Sequence, residues 1–261
     1  MKTRTTHAVA AVFSTAAILV STASQASATD ATQVKAELND PAATPAAYIS
    51  YLRNSHEEGA AEALQGFKSL TSTEQQKFIG YLHDPEVLKS FLDKTKGQES
   101  GISAYSRSAS STSSLHNGDV IIEQERTVSG ISAAARRPLP RGNHEAKYTT
   151  HLKLLGVKVI KLSLWVNFHS NGRDITKANY ADAGKRNLTG AISISKGTPK
   201  KSLSKWGWCQ GGHCSRGHNV DASVVWEGSI AFKGSTFQID KKQWMRANVY
   251  GTVINHSLKN V

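Results

Sequence analysis

Cysteine is nearly absent from this chain, with two in 261 residues, Cys209 and Cys214. A disulfide-dense scaffold is thereby excluded, because such folds rely on several cross-links to offset a small core. Methionine is equally scarce at two, proline stands at six, and aromatic residues make up 7%. Collagen, coiled coil and a proline-rich extended chain are ruled out on that balance. No apolar run reaches the roughly 20 residues a spanning helix needs, which excludes a polytopic membrane protein. Negative charge is also short, at 20 Asp plus Glu against 32 Lys plus Arg, for a net of +12. Missing too are a Gly-x-Ser-x-Gly elbow, a His-Glu-x-x-His helix, a phosphate-binding P-loop and a dinucleotide fingerprint. What is present is 39% apolar residues, enough for one or two domains with a real core.

Residues 1–28 have the layout of a secretory signal. Lys2 and Arg4 give a charged start, Ala8 to Val20 is an apolar run of thirteen, and Ala26-Ser27-Ala28 is a small-residue cleavage site. Thirteen residues are too few to anchor in a bilayer, so the expectation is a bacterial-type secreted, extracellular protein beginning at Thr29, with no transmembrane segment.

The mature chain changes period partway along. Over 29–97 the signals are helical. Pro45 can open a helix through Tyr48, Ile49 and Leu52, and Ala60, Leu64, Phe67 and Leu70 repeat at helical spacing. Thr71 with Glu74, or Thr73 with Gln76, offers a capping box. Asp84-Pro85-Glu86 reads as N-cap and first turn of a last helix carrying Val87, Leu88, Phe91 and Leu92, ended by Gly97. Eight serines fall between Ser100 and Ser114, so 98–116 reads as a flexible linker. Beyond it the pattern alternates. Ile160, Leu162, Leu164, Val166 and Phe168 occupy every second position ahead of a Ser170-Asn171-Gly172 turn, and Leu152 and Leu154 precede a turn or bulge near Gly156. Val220 to Trp226, Ile230 with Phe232, Phe237 with Ile239, Met245 to Val253, and Ile192 with Ile194 mark further strands. The expected fold is α+β in two segments: a small helical bundle, then an antiparallel β-sandwich or barrel of seven or eight strands over 117–261.

Charge divides along the same line. Residues 29–116 hold 8 Lys/Arg and 11 Asp/Glu, whereas 117–261 hold 22 and 9. All five Trp also lie in the basic part.

Gly156-Val157-Lys158-Val159 through Trp165-Val166-Asn167, Ala181-Asp182-Ala183-Gly184 and the closing Ser257-Leu258-Lys259-Asn260, taken with the Ala/Ser-rich start, give about the last 120 residues a distinctive texture. In this the chain resembles a group of secreted actinomycete proteins with no established activity. The resemblance implies export and a β fold, and carries over no catalytic residue, cofactor or partner.

Three constellations could carry chemistry. The first is a cationic, aromatic loop: Lys200, Lys201, Lys205, Trp206 and Trp208 lead into His213 and Arg216. Indoles stack on sugar faces or sit at membrane interfaces, and flanking cations attract phosphate or carboxylate groups. Within it Cys209 and Cys214 flank a short Gly-containing loop, which in an oxidising compartment reads most simply as a disulfide. The competing reading is a zinc site from Cys209, His213, Cys214 and His218, but the spacing matches no standard finger; neither metal nor cofactor is expected. The second is catalytic: Arg216, His218 and Asp221 would serve as oxyanion partner, base and orienter, although a polar loop entering a strand explains them as well. His151, His169 and His256 are further candidate bases. The third is the pair Glu123 and Glu125 on one strand face, close enough for a glycosidase yet equally a solvated edge.

The function expected from these features is a secreted cationic binding module or effector acting on an anionic extracellular surface, such as wall polymer, acidic glycan or lipid headgroup. Specific nucleic-acid recognition is not expected, since no recognition motif accompanies the charge. The alternatives are a small secreted hydrolase with a His-based site, or a protein-interaction role such as inhibitor or toxin with the helical segment as pro-region.

Overall fold

The computed structural model describes residues 40–93, 108–129, 137–204, 209–210, 213–214, 217–232 and 235–261. The signal-like segment 1–28 lies outside them.

Four helices come first: α1 (Pro45–Asn54), α2 (Ala60–Ser69), α3 (Ser72–Leu82) and α4 (Pro85–Asp93). Three of the four starts carry a local side-chain cap. Thr44 Oγ1 accepts from Ala47 N ahead of Pro45. Thr71 and Glu74 form the reciprocal capping box, and Asp84 Oδ1 accepts from Glu86 N at 2.8 Å. Tyr48, Phe67 and Phe78 bury completely against one another, with centroids 4.9–5.3 Å apart. Burying such rings contributes roughly 2–3 kcal/mol each.

The rest is antiparallel β structure in two open sheets. The first is a meander, β1 (Ser108–Leu115), β2 (Val120–Val128), β3 (Gly142–Leu154), β4 (Val157–Ser170) and β5 (Ile175–Asn187), with strand order following the sequence. The second has β12 (Val253–Asn260), β11 (Ser235–Ala247) and β10 (Val220–Phe232) side by side. Along the far edge of β10, β6 (Ile192–Lys196) and β7 (Lys200–Leu203) lie end to end. A separate two-stranded ladder joins β8 (Cys209–Gln210) to β9 (His213–Cys214). The β3–β4 hairpin turns through Leu155 and Gly156, both at positive φ (46° and 84°), as a two-residue primed turn requires. A bulge lies at Leu152/Lys153.

The inner faces pack Leu152, Leu162, Leu164, Val166 and Phe168 against Ala222, Val224, Trp226 and Met245. Gln243 ties the layers across this core: its Oε1 accepts from Trp226 Nε1 at 2.9 Å, and its Nε2 donates toward the carbonyls of Tyr148 and Leu162. On one flank the sheets are stitched by side chains. Lys196 Nζ donates to Ala183 O at 2.9 Å, and Lys201 Nζ to Ala178 O at 3.0 Å.

The architecture is thus the expected helical segment followed by an antiparallel sandwich, not closed into a barrel. One feature differs from the sequence reading. Residues 108–115, expected within the linker, form β1 in full register with β2. Strand propensity is poor for serine, but an edge position against a neighbour already anchored in the core is enough to pair the backbone. The helices share the β core. The Tyr48 hydroxyl donates to Leu188 O at 2.7 Å in a buried setting, and Tyr81 donates to Asp119. Lys161 pairs with Glu58, and α4 packs on β12. The bundle caps the end of the sandwich where the β1–β2, β3–β4 and β5–β6 connections gather.

Candidate functional site

Alternation and register decide where the polar side chains go. On β7, Lys200 and Lys201 are exposed and pair across to Ser223 and Ala222. The Lys201–Ala178 bond brings this strand against β5, where Lys177 is exposed. Arg173, in the turn before β5, is exposed on the same edge. The acid there is Asp174, and His218 engages it: His218 N donates to Oδ1 at 2.6 Å and the ring Nδ1 meets Oδ2 at 3.0 Å. Gly217, at φ +110°, lets the chain pass over that carboxylate, where any Cβ would collide with Asp174. The result is a run of exposed cations beside a carboxylate, Asp174, that His218 already engages.

Lys205, Trp206, Trp208 and Arg216 lie outside the described residues. Cys209 and Cys214 face each other directly in the β8–β9 ladder, with His213 opposite Gln210. A directly opposed antiparallel pair has Cα atoms near the spacing a disulfide needs.

Of the expected Arg216, His218 and Asp221 group, Arg216 lies outside the described residues, and His218 and Asp221 each engage a different partner. Asp221 points outward from β10 straight at Arg246 on β11, and its two oxygens accept from Arg246 Nε and Nη2 at 2.7 Å each. Direct register opposite an arginine leaves it no oxygen for orienting an imidazole. The residue that holds His218 is Asp174, 44 positions earlier, a pairing with no sequence signal.

The carboxylate pair does come together with a histidine. On the outer face of the first sheet Glu123 on β2 stands directly opposite His151 on β3, with Glu125 two positions along. Their ligand atoms lie within 4.8 Å of one another. His151 Nε2 is 3.5 Å from Glu125 Oε2, and Lys153 Nζ is 2.7 Å from Glu123 Oε2. Lys153 holds the Glu123 carboxyl below its ordinary range, through its hydrogen bond and then its charge. Burial pushes His151 down, with Lys158 adding to it and Glu125 opposing. A neutral imidazole and two carboxylates are donors a divalent ion accepts, but Lys153 already occupies Glu123. As it stands the group is one ion pair, Lys153 with Glu123, beside a neutral imidazole near Glu125. Of the other histidines, His169 Nδ1 meets Asn143 Oδ1 at 3.0 Å on the same outer face, and His256 is buried between the sheets.

A cavity of about 300 Å³ opens between α2 and the β3–β4 turn, lined by Gly59, Gly66, Leu155, Val157, Lys158 and Arg186. Among the described residues no helix is long and apolar enough to cross a membrane. No family model, curated protein or solved structure matches the chain.

Proposed function

We propose that the chain is an exported cationic binding module whose target is an anionic extracellular surface: wall polymer, acidic glycan or lipid headgroup. The observation that supports this best is the edge where β5 meets β7. Arg173, Lys177, Lys200 and Lys201 gather there while the local carboxylate, Asp174, is taken by His218. The 205–216 segment continues from that edge and adds Lys205, Arg216, Trp206 and Trp208 by sequence. Cations supply attraction that salt screens, and indoles supply stacking that salt barely touches.

The test is binding of the full exported chain to polygalacturonate, anionic vesicles and purified cell-wall polymer across a salt series. Replacing Lys200, Lys201, Lys205 and Arg216 with Ser should weaken binding most at low salt and flatten its salt dependence. Trp206→Ala or Trp208→Ala should weaken it at every salt concentration, by about 1 kcal/mol or more for an anchoring ring. A parent that binds none of the three probes refutes the reading.

A hydrolytic role is the second reading, favoured by the grouping of Glu123, Glu125 and His151. Turnover of a glycan panel that is abolished by Glu125→Gln with the fold intact would establish it.

A further inference from the structure

The inner face of the first sheet carries a polar block that core packing does not explain. Arg126 on β2 stands directly opposite Tyr148 on β3, and Gln124 opposite Thr150. These side chains form two adjacent cross-strand pairs, with Arg126 5% exposed and Tyr148 and Thr150 fully buried. Gln124 is satisfied, since its Oε1 accepts from His256 Nε2 on β12 at 2.8 Å. That imidazole stands edge-on to Tyr148, with centroids 4.7 Å apart. The other three are not fully satisfied: among the described residues Arg126 Nε and Nη2 are buried without a hydrogen-bond partner, and the Tyr148 hydroxyl and Thr150 Oγ1 are buried with no partner beyond each other.

A water molecule can satisfy a hydroxyl, but it cannot neutralise a guanidinium, which stays protonated in proteins. A buried charge without a counter-charge is among the costliest arrangements a core can hold. Neither charged-capable neighbour supplies one. Burial pushes the Tyr148 phenol up to about 12, and burial together with Arg126 pushes His256 down to about 4; both are neutral at pH 7. Elsewhere the same molecule shows what fills such a fork. Arg246 uses Nε and Nη2, the same two atoms, to hold both oxygens of Asp221.

There is also a way in. The strand beside β2 at this edge is β1, which places Ala109 and Ser111 opposite Arg126 and Gln124 on the inner face. Ser111 is exposed despite facing inward and Ala109 is half-buried, so among the described residues small side chains line this flank of the block.

We propose that Arg126, Tyr148 and Thr150 form a binding site for the carboxylate of a ligand that enters between β1 and β12. The carboxylate sits on the Nε/Nη2 fork and takes further hydrogen bonds from the two hydroxyls. One positive charge in a planar fork suits a monoanionic carboxylate better than a phosphate dianion. The site is separate from the lysine edge and stands whether or not that edge binds polyanions.

The test follows thermal unfolding and calorimetric titration of the full chain with acetate and galacturonate at fixed ionic strength, and with phosphate as a third probe. Both carboxylates should raise the parent's Tm in a saturable way, and phosphate should do less. Arg126→Met should abolish that response while raising the Tm of the ligand-free protein, because it removes an unpaired buried charge. Arg126→Lys keeps the charge without the fork and should lose at least tenfold in carboxylate affinity; Tyr148→Phe should keep the fold and lose several-fold. The proposal fails if the parent shows no saturable response to either carboxylate. It also fails if phosphate outperforms both, or if Arg126→Lys binds carboxylate as tightly as the parent.

Discussion

Protonating His256 would place a second positive charge beside Arg126 in the space between the sheets. The ring is buried, it donates from Nε2 to Gln124, and Tyr148 closes over it. Burial and then Arg126 lower its pKa from 6.5 to about 4. The unfolded chain therefore takes up a proton near pH 6.5 that the folded chain refuses until about pH 4. Stability from this group is complete above pH 6.5, falls progressively below it, and stops falling once pH passes the folded value. The gap between 6.5 and about 4, at about 1.4 kcal/mol per pH unit, amounts to about 3 kcal/mol lost across that window. Surface carboxylates held low by partners, such as Glu123 and Asp182, lose their contribution only at more acid pH. Urea midpoints measured at pH 7.5, 6.5, 5.5 and 4.5 read the slope directly. His256→Gln retains a hydrogen-bonding side chain but cannot titrate, so most of the slope should vanish. His151, also held down by burial, adds a part of the same sign, which the double variant removes. If parent and His256→Gln lose stability equally between pH 6.5 and 4.5, the assigned environment of His256 is wrong.

Tyr48→Phe should cost about 1–3 kcal/mol, because it leaves Leu188 O buried without its donor; chemical denaturation checks this. Asp221→Asn should destabilise by more than about 1 kcal/mol by breaking the bidentate pair with Arg246, whereas His218→Asn, on an exposed ring, should change stability by less than about 0.5 kcal/mol. Cys209 and Cys214, opposed in register, should resist alkylation in exported protein without reductant; two alkylated thiols by intact mass would rule out the disulfide.

The helices and the long strands were legible because each rests on local chemistry. Thr71 with Glu74, Asp84 before Pro85, and the alternation from Ile160 to Phe168 need no partner to be recognised. β1 was hidden because its pairing depends on β2 rather than on its own serines. The candidate sites show the same division. Glu123 and Glu125 were visible as an i, i+2 pair, but nothing local brings in His151 and Lys153, which arrive by register. The pairing of His218 with Asp174 and of Asp221 with Arg246 crosses between distant segments, so neighbours in sequence were mistaken for partners in space. Arg126 gave no signal at all. Its significance lies in having no carboxylate against it among the described residues, and only the packed sheets reveal that.

The uninterrupted order of the first sheet has a consequence for how the molecule assembles. Each of its pairings joins strands consecutive in sequence, so loop-closure entropy is small and the hairpins can form one after another as the chain emerges. In the second sheet β10, β11 and β12 also pair consecutively, but β6 and β7 must wait for β10. β12 arrives last, bringing His256 and Leu258 onto β2 and β3. Until it lands, the inner face around Arg126 is open to water and the guanidinium is solvated. The desolvation of that charge thus falls at the final step of assembly, when the C-terminal strand closes over it.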